Sequence, residues 1–281
     1  MDEIEKYVKG IIEQRNHQSI ADFEGYSPVE MQVILYDPFC SDSPIQIRKM
    51  SEKDYDQIPL LNQIKFLYQI IKDEGELQLT KKGFLSTKTV QKLYNEGYLK
   101  DDFIELGISK LYKEENVNVL TLTRIIIELS QLVKKRNNKL SRTQKGEEII
   151  KSDHLLFKHI LEIFTLKFNW AYFDLYENEE IGQLGFGFSF VLLNKYGKAK
   201  KSPNFYAQKY LKAFDFNKDQ NDGFPDNPEN AYTVRTFERF LEYFGFVELE
   251  GDGFKKPKMV KKTALFDKAI KIRPHNSAYR K

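Results

Sequence analysis

One cysteine, Cys40, and four scattered histidines, His17, His154, His159 and His275, are all that the 281 residues offer of these types. A single thiol excludes a disulfide framework, and such sparse histidines supply no zinc cage of the usual spacing. Neither G-x-S-x-G nor H-E-x-x-H occurs, and no nucleophile stands beside a base in a known pattern. Uninterrupted apolar runs of the ~18 residues that span a bilayer are also missing, and residues 1–10 carry three acids in place of a secretory apolar region. These absences predict a reduced, cytoplasmic protein with no membrane partner, no cofactor, no metal and no catalytic residues. What is present, 41% apolar and 30% charged residues, is enough for one large or two ordinary packed domains.

Charge is unevenly placed. Residues 253–281 hold eight Lys and two Arg against Asp267 alone, a local net charge of +9, which leaves −6 for residues 1–252 of a chain that totals +3. A second basic cluster, Lys134, Lys135, Arg136, Lys139, Arg142 and Lys145, has no acid among it. Cations this dense repel one another unless they are solvated or face a polyanion.

Residues 1–58 read as an entry segment of their own. An amphipathic helix covers about 2–13, and Ser27-Pro28, an N-cap followed by proline at the first helical position, opens a second helix that runs to about Leu35. Asp37-Pro38 stops it, and 39–59 reads as a linker. Then comes a repeat: LYQIIK followed by LQLTKKG over 67–83, and LSQLVK followed by LSRTQKG over 129–146. Each copy reads as a helix feeding a short strand, with Thr80 and Thr143 at a strand end or helix N-cap and Gly83 and Gly146 allowing close backbone approach. A looser third copy is the helix 232–244, the strand GFVELE, a glycine turn and MVKKT, with Val260-x-x-Thr263 in the place of Leu140-x-x-Thr143.

Helix, strand, turn, a strand ending in threonine, then helix: over about 187–272 this order resembles a winged helix-turn-helix domain, with partial echoes at 59–113 and 117–165. The resemblance implies helices at 189–196, 203–214 and 232–244 and a wing at 245–263, although the link 215–230 is longer than the tight turn of that family. It also implies a third helix presented to DNA, with Arg235, Thr236 and Arg239 on its outer face, and a wing whose Lys255, Lys256, Lys258, Lys261 and Lys262 lie along phosphates. Lys134, Lys135, Arg136, Lys139 and Arg142 form the second expected nucleic-acid contact.

Other features read as structural. Of 39 aromatic residues, 23 fall in 164–254, at spacings that suit core packing, so Trp170 and Tyr172 are expected inside. Gly182-x-x-Gly185-x-Gly187 lacks the lysine of a phosphate loop and reads as a turn or a close helix approach. Asp215, Asn217, Asp219, Asn221 and Asp226 are spaced like a calcium loop, but Gln220 and Asp226 stand where glycine and glutamate are required.

The combined expectation is a mainly α (α+β) protein of two or three winged-helix-like units, helices with short β-hairpins. Its segments are 1–58, the tandem helix-hairpin repeats 59–165 and an aromatic-rich C-terminal domain 166–281. The expected function is that of a non-catalytic regulator or accessory protein that binds duplex DNA. The alternative is an interaction scaffold that meets an acidic protein or associates with itself.

Overall fold

The structure, a computed structural model, describes residues 3–214, 216, 227–251 and 258–275. It is mainly helical with short antiparallel strands, the α+β class expected from the sequence. The strands are β1 (Ile45–Ile47), β2 (Glu76–Gln78), β3 (Val133–Arg136), β4 (Lys139–Arg142), β5 (Val247–Glu250), β6 (Met259–Lys262) and β7 (Ile270–Ile272). The chain divides into two compact units, one of Lys49–Asn169 with Tyr243–Gly245, the other of Met1–Arg48, Trp170–Glu242 and Phe246–Lys281.

Residues 1–48 therefore belong with the C-terminal residues and are not a segment apart. Strand pairing is the cause: β1 lies antiparallel to β7 in the register Ile45↔Ile272 and Ile47↔Ile270. Within the same unit the Glu24 carboxylate accepts from Lys195 at 2.6 Å and Lys209 at 2.7 Å. Proline at the first position and the capping box of Ser27 with Glu30 start the helix Pro28–Tyr36 where the sequence places it.

In the unit built on Lys49–Asn169, Pro59 opens the helix Pro59–Glu74, and Leu60, Leu61, Ile64, Leu67, Tyr68 and Ile71 bury one face of it. It leads into β2, the helix Thr87–Asn95, the helix Asn118–Leu129 and the hairpin β3–β4. The three strands form one sheet in the order β2-β4-β3. Leu77 lies opposite Leu140, which lies opposite Lys135. Asn137 and Asn138, at φ 51 and 55, close the hairpin with two left-handed residues, as a tight turn between twisted strands requires.

This pairing corrects the reading of 67–83 and 129–146 as two copies of one helix-hairpin unit. The first copy supplies a helix and β2; in the second, Leu129 ends a helix and Val133 already lies in β3. The matching L-x-x-T segments are neighbours in a single sheet. Thr143 does cap the next helix, its hydroxyl accepting from the Gly146 amide at 2.9 Å, whereas Thr80 closes a turn by accepting from the Phe84 amide at 3.1 Å.

The C-terminal unit contains the helices Phe186–Tyr196 and Pro203–Phe214, then Pro228–Tyr232 running into a π-helical stretch, Thr233–Leu241, and the hairpin β5–β6. Lys201, between the first two helices, makes a reciprocal antiparallel bridge to Val260 of β6, with N···O distances of 3.1 and 2.8 Å. Val260 thus occupies in β6 the central position that Leu140 has in β4, and Thr263, like Thr143, caps the following helix. Phe190 anchors an aromatic core, with ring centroids 5.8 Å from Phe186, 6.1 Å from Phe246 and 5.6 Å from Phe266. Trp170 is in this core, but Tyr172 is 60% exposed, contrary to its expected burial. The glycines of 182–187 serve close packing: a Cβ at Gly185 would overlap the Phe214 ring, and one at Gly187 would overlap Ile45. Of the calcium-like stretch, Asp215, Asn217, Asp219, Asn221 and Asp226 lie outside the described residues.

Candidate nucleic-acid interface

Base reading by a third helix needs an exposed polar face. Arg235 and Thr236 are 0% exposed, so their expected outward placement is corrected. The Arg235 guanidinium donates to Asp174 at 3.0 and 2.7 Å and to the carbonyls of Asn178 at 2.7 Å and Ile181 at 3.0 Å. Arg239, partly exposed, donates to Asp174 at 2.9 Å and to the Phe173 carbonyl at 3.1 Å. Both arginines are turned toward the segment 173–181, and their donors have internal acceptors. The stretch that carries both arginines, Thr233–Leu241, is π-helical, a rare geometry. The helix Asn118–Leu129 is equally enclosed, with Val119 to Arg124, Ile126 and Ile127 all buried.

The C-terminal hairpin offers fewer open cations than its composition implies. Lys258 pairs with Glu238 at 2.7 Å, and the Lys262 side chain, 3% exposed, pairs with Asp267 at 2.5 Å. Lys262 is thereby corrected from a phosphate contact to a buried partner of Asp267. Lys261 is exposed and stands opposite Glu248 in the strand register. Lys255 and Lys256 lie outside the described residues.

The hairpin β3–β4 is different. Lys134, Lys135, Arg136 and Lys139 are all exposed. Across the sheet, Lys134 lines up with Ser141 and Glu76, and Arg136 lines up with Lys139 and Gln78. Since side chains alternate between sheet faces, these two rows share the face opposite Leu77 and Leu140. All of these but Gln78 line a shallow concavity of about 470 Å³, whose rim includes Asn137, Arg142 and Glu147. Two acids compensate part of this charge: Glu76 pairs with Lys139 at 2.9 Å and Glu147 with Arg142 at 2.8 Å. The hydrogen bond and charge of Lys139, with Lys134 also near, hold the Glu76 carboxyl below its ordinary range. Lys134 and Arg136 make no ion pair among the described residues, and they sit two residues apart on one strand, about 7 Å along the chain.

The sheet brings in further cations that the sequence reading left out. Lys81 and Lys82 are exposed in the turn after β2. That turn is held to the hairpin tip by the Leu79 amide donating to the Asn138 carbonyl at 2.8 Å and by Lys135 donating to the Gly83 carbonyl at 3.3 Å. The cue in the sequence was the T-K-K-G end of the first repeat copy, but only the β2–β4 pairing puts it beside residues 134–139. Next to this turn lies a second concavity of about 320 Å³, whose lining includes Phe84, Tyr112 and the buried Glu114. Burial raises the Glu114 carboxyl, against the opposing effects of the Leu85 amide and Arg124. Glu114 and Arg124, 2.6 Å apart, act as an internal clamp between the Leu85 backbone and the helix Asn118–Leu129.

His154 and His159 are helix residues held by tertiary contacts, to the Tyr55 hydroxyl at 3.0 Å and the Ser130 carbonyl at 2.7 Å. Among the described residues no helix is long and apolar enough to cross a membrane.

Comparison with known proteins adds one similarity. Residues 56–155 match the family model described as the Y4jL N-terminal domain. The matched stretch holds the helix Pro59–Glu74, the sheet β2-β4-β3 and the helix Asn118–Leu129, and so the basic hairpin itself. No curated protein and no solved structure matches the chain.

Proposed function

We propose that this chain is a non-catalytic accessory protein that binds duplex nucleic acid through its phosphates, using the hairpin β3–β4 as its main contact. The observation that carries the reading is the outward face of that hairpin, where Lys134 and Arg136 lack ion-pair partners among the described residues and Lys139 is exposed beside them, while Lys135 is exposed on the other face of the same strand. Phosphate contact by such a surface carries no sequence information by itself. The burial of Arg235 and Thr236 agrees with this, since two of the three residues expected to read bases point inward. The family resemblance to winged helix-turn-helix domains supports the same role for a basic hairpin, with the C-terminal hairpin as a secondary contact.

Three to four phosphate contacts would make affinity fall about 40- to 150-fold between 50 and 200 mM salt. Fluorescence anisotropy with a generic DNA duplex tests this. The variant with Lys134, Lys135, Arg136 and Lys139 changed to Gln loses most binding, while Lys255→Gln, Lys256→Gln and Lys261→Gln together cost less. Absent or salt-insensitive binding by the intact chain, or full binding by the hairpin variant, overturns the reading.

The interaction-scaffold reading has one observation in its favour. Phe103, Leu106, Ile108 and Tyr112 are 58–67% exposed within ten residues of chain, an apolar cluster of the kind that protein contacts cover.

A further inference from the structure

The helix Glu3–Asn16 buries none of its side chains. Yet its apolar residues are not scattered. At 100° per residue, Ile4, Tyr7, Val8, Ile11 and Ile12 fall in one stripe, and Ile4, Tyr7, Val8 and Ile12 are exposed by 69, 72, 46 and 51%. A helix of 14 residues is marginal in water on its own and draws its stability from packing an apolar face.

The charges say what kind of surface suits that face. Lys6, Lys9 and Arg15 are matched by Glu3, Glu5 and Glu13, so the helix has no excess positive charge to draw it to an anionic membrane. The signs are, however, separated along its length. The first turn carries Glu3 and Glu5, and the last turn carries Arg15. On the helical wheel Arg15 continues the apolar stripe at its C-terminal end, while Glu3 and Glu5 flank the stripe at its N-terminal end.

We propose that two copies of this chain associate through this helix, packed antiparallel about a two-fold axis. Antiparallel packing lays Arg15 of one copy between the first-turn acids of the other, and symmetry repeats the contact at the far end. Parallel packing would set Arg15 against Arg15 and acid against acid. The seam is about 21 Å long and smaller than the ~800 Å² per partner of a standard stable interface. The dimer is therefore reversible and concentration-dependent. This inference stands independently of nucleic-acid binding.

Sedimentation velocity on the intact chain, from low micromolar to several hundred micromolar, tests it, with circular dichroism and Trp170 fluorescence as folding controls. The intact chain shifts from monomer to dimer over that range. Val8→Asp with Ile12→Asp keeps it monomeric. Arg15→Glu alone weakens association about tenfold, as does Glu3→Arg with Glu5→Arg, because each turns two symmetric attractions into repulsions. Combining all three charge reversals restores it. A monomer throughout the range, a dimer that survives Val8→Asp with Ile12→Asp, or charge reversals that do not rescue one another overturns the proposal. So does a monomer that floats with phosphatidylserine vesicles through the same stripe, which would assign the helix to a lipid surface.

Discussion

Changing Asp174 to alanine would remove the acid that sits against two arginines, one of them, Arg235, with no exposed surface at all. Arg235 would keep its bonds to the Asn178 and Ile181 carbonyls but lose both carboxylate contacts, at 3.0 and 2.7 Å, and with them the compensation for its buried charge. Breaking a buried pair by deleting one partner costs about 3–5 kcal/mol. Against a total stability of roughly 5–15 kcal/mol that is a large fraction. With a urea dependence of about 2 kcal/mol per molar, the midpoint falls by about 1.5–2.5 M. The assay is urea unfolding followed through Trp170, the single tryptophan, which is 2% exposed and belongs to the same unit as Asp174 and Arg235. Asp174→Asn, which keeps an acceptor but no charge, falls between the wild type and the alanine variant. A loss below about 1 kcal/mol for alanine, the scale of an exposed pair, refutes the reasoning and returns Arg235 to the outer face of its helix.

Gly146→Ala places a Cβ against the Leu132 carbonyl and backbone, which have no flexible end that can yield. Denaturant unfolding followed by circular dichroism should show a loss of about 1–3 kcal/mol, and an unchanged midpoint would mean that the helix Gln144–Ile149 shifts freely. Burial pushes the Glu24 carboxyl up, but hydrogen bonds from Lys195, Lys209 and Tyr196 outweigh it and leave the group below its ordinary value of 4.5. Its contribution to stability is then fully present above pH 4.5 and lost as pH falls through the lowered folded value. Glu24→Gln should be less stable than wild type at pH 7, with the gap closing in acid, and a gap that is constant with pH would contradict this.

Local chemistry could be read directly. Ser27 and Pro28 start a helix, Thr143 and Thr263 cap helices, and the alternation of 247–250 makes a strand, because each depends on neighbours within a few residues. The order of three helices and a hairpin in the C-terminal third follows from the same local signals. The basic run 134–142 was likewise visible as a charge cluster.

Several features were not legible for want of long-range information. The L-x-x-T repeat suggested two units, whereas Leu77 and Leu140 are facing partners in one sheet, 63 positions apart in the chain. Helical periodicity showed that Arg235 and Arg239 share a face. It could not show that residues 173–181 cover that face and supply its acceptors, since period identifies a face but not what lies against it. For the same reason the lysines of β6 looked alike in sequence, yet Lys262 is buried on Asp267 while Lys261 is exposed.

The sequence by itself determined the helices, caps, strands and the uneven distribution of charge, because these arise from backbone preferences and composition over a few residues. Only the tertiary structure decided which strands pair, that residues 1–48 join the C-terminal unit, and which cations remain open to a polyanion. Those outcomes depend on burial and on ion pairing between residues far apart in the chain, and a charged side chain's role is set by whether an acid or water meets it in the fold.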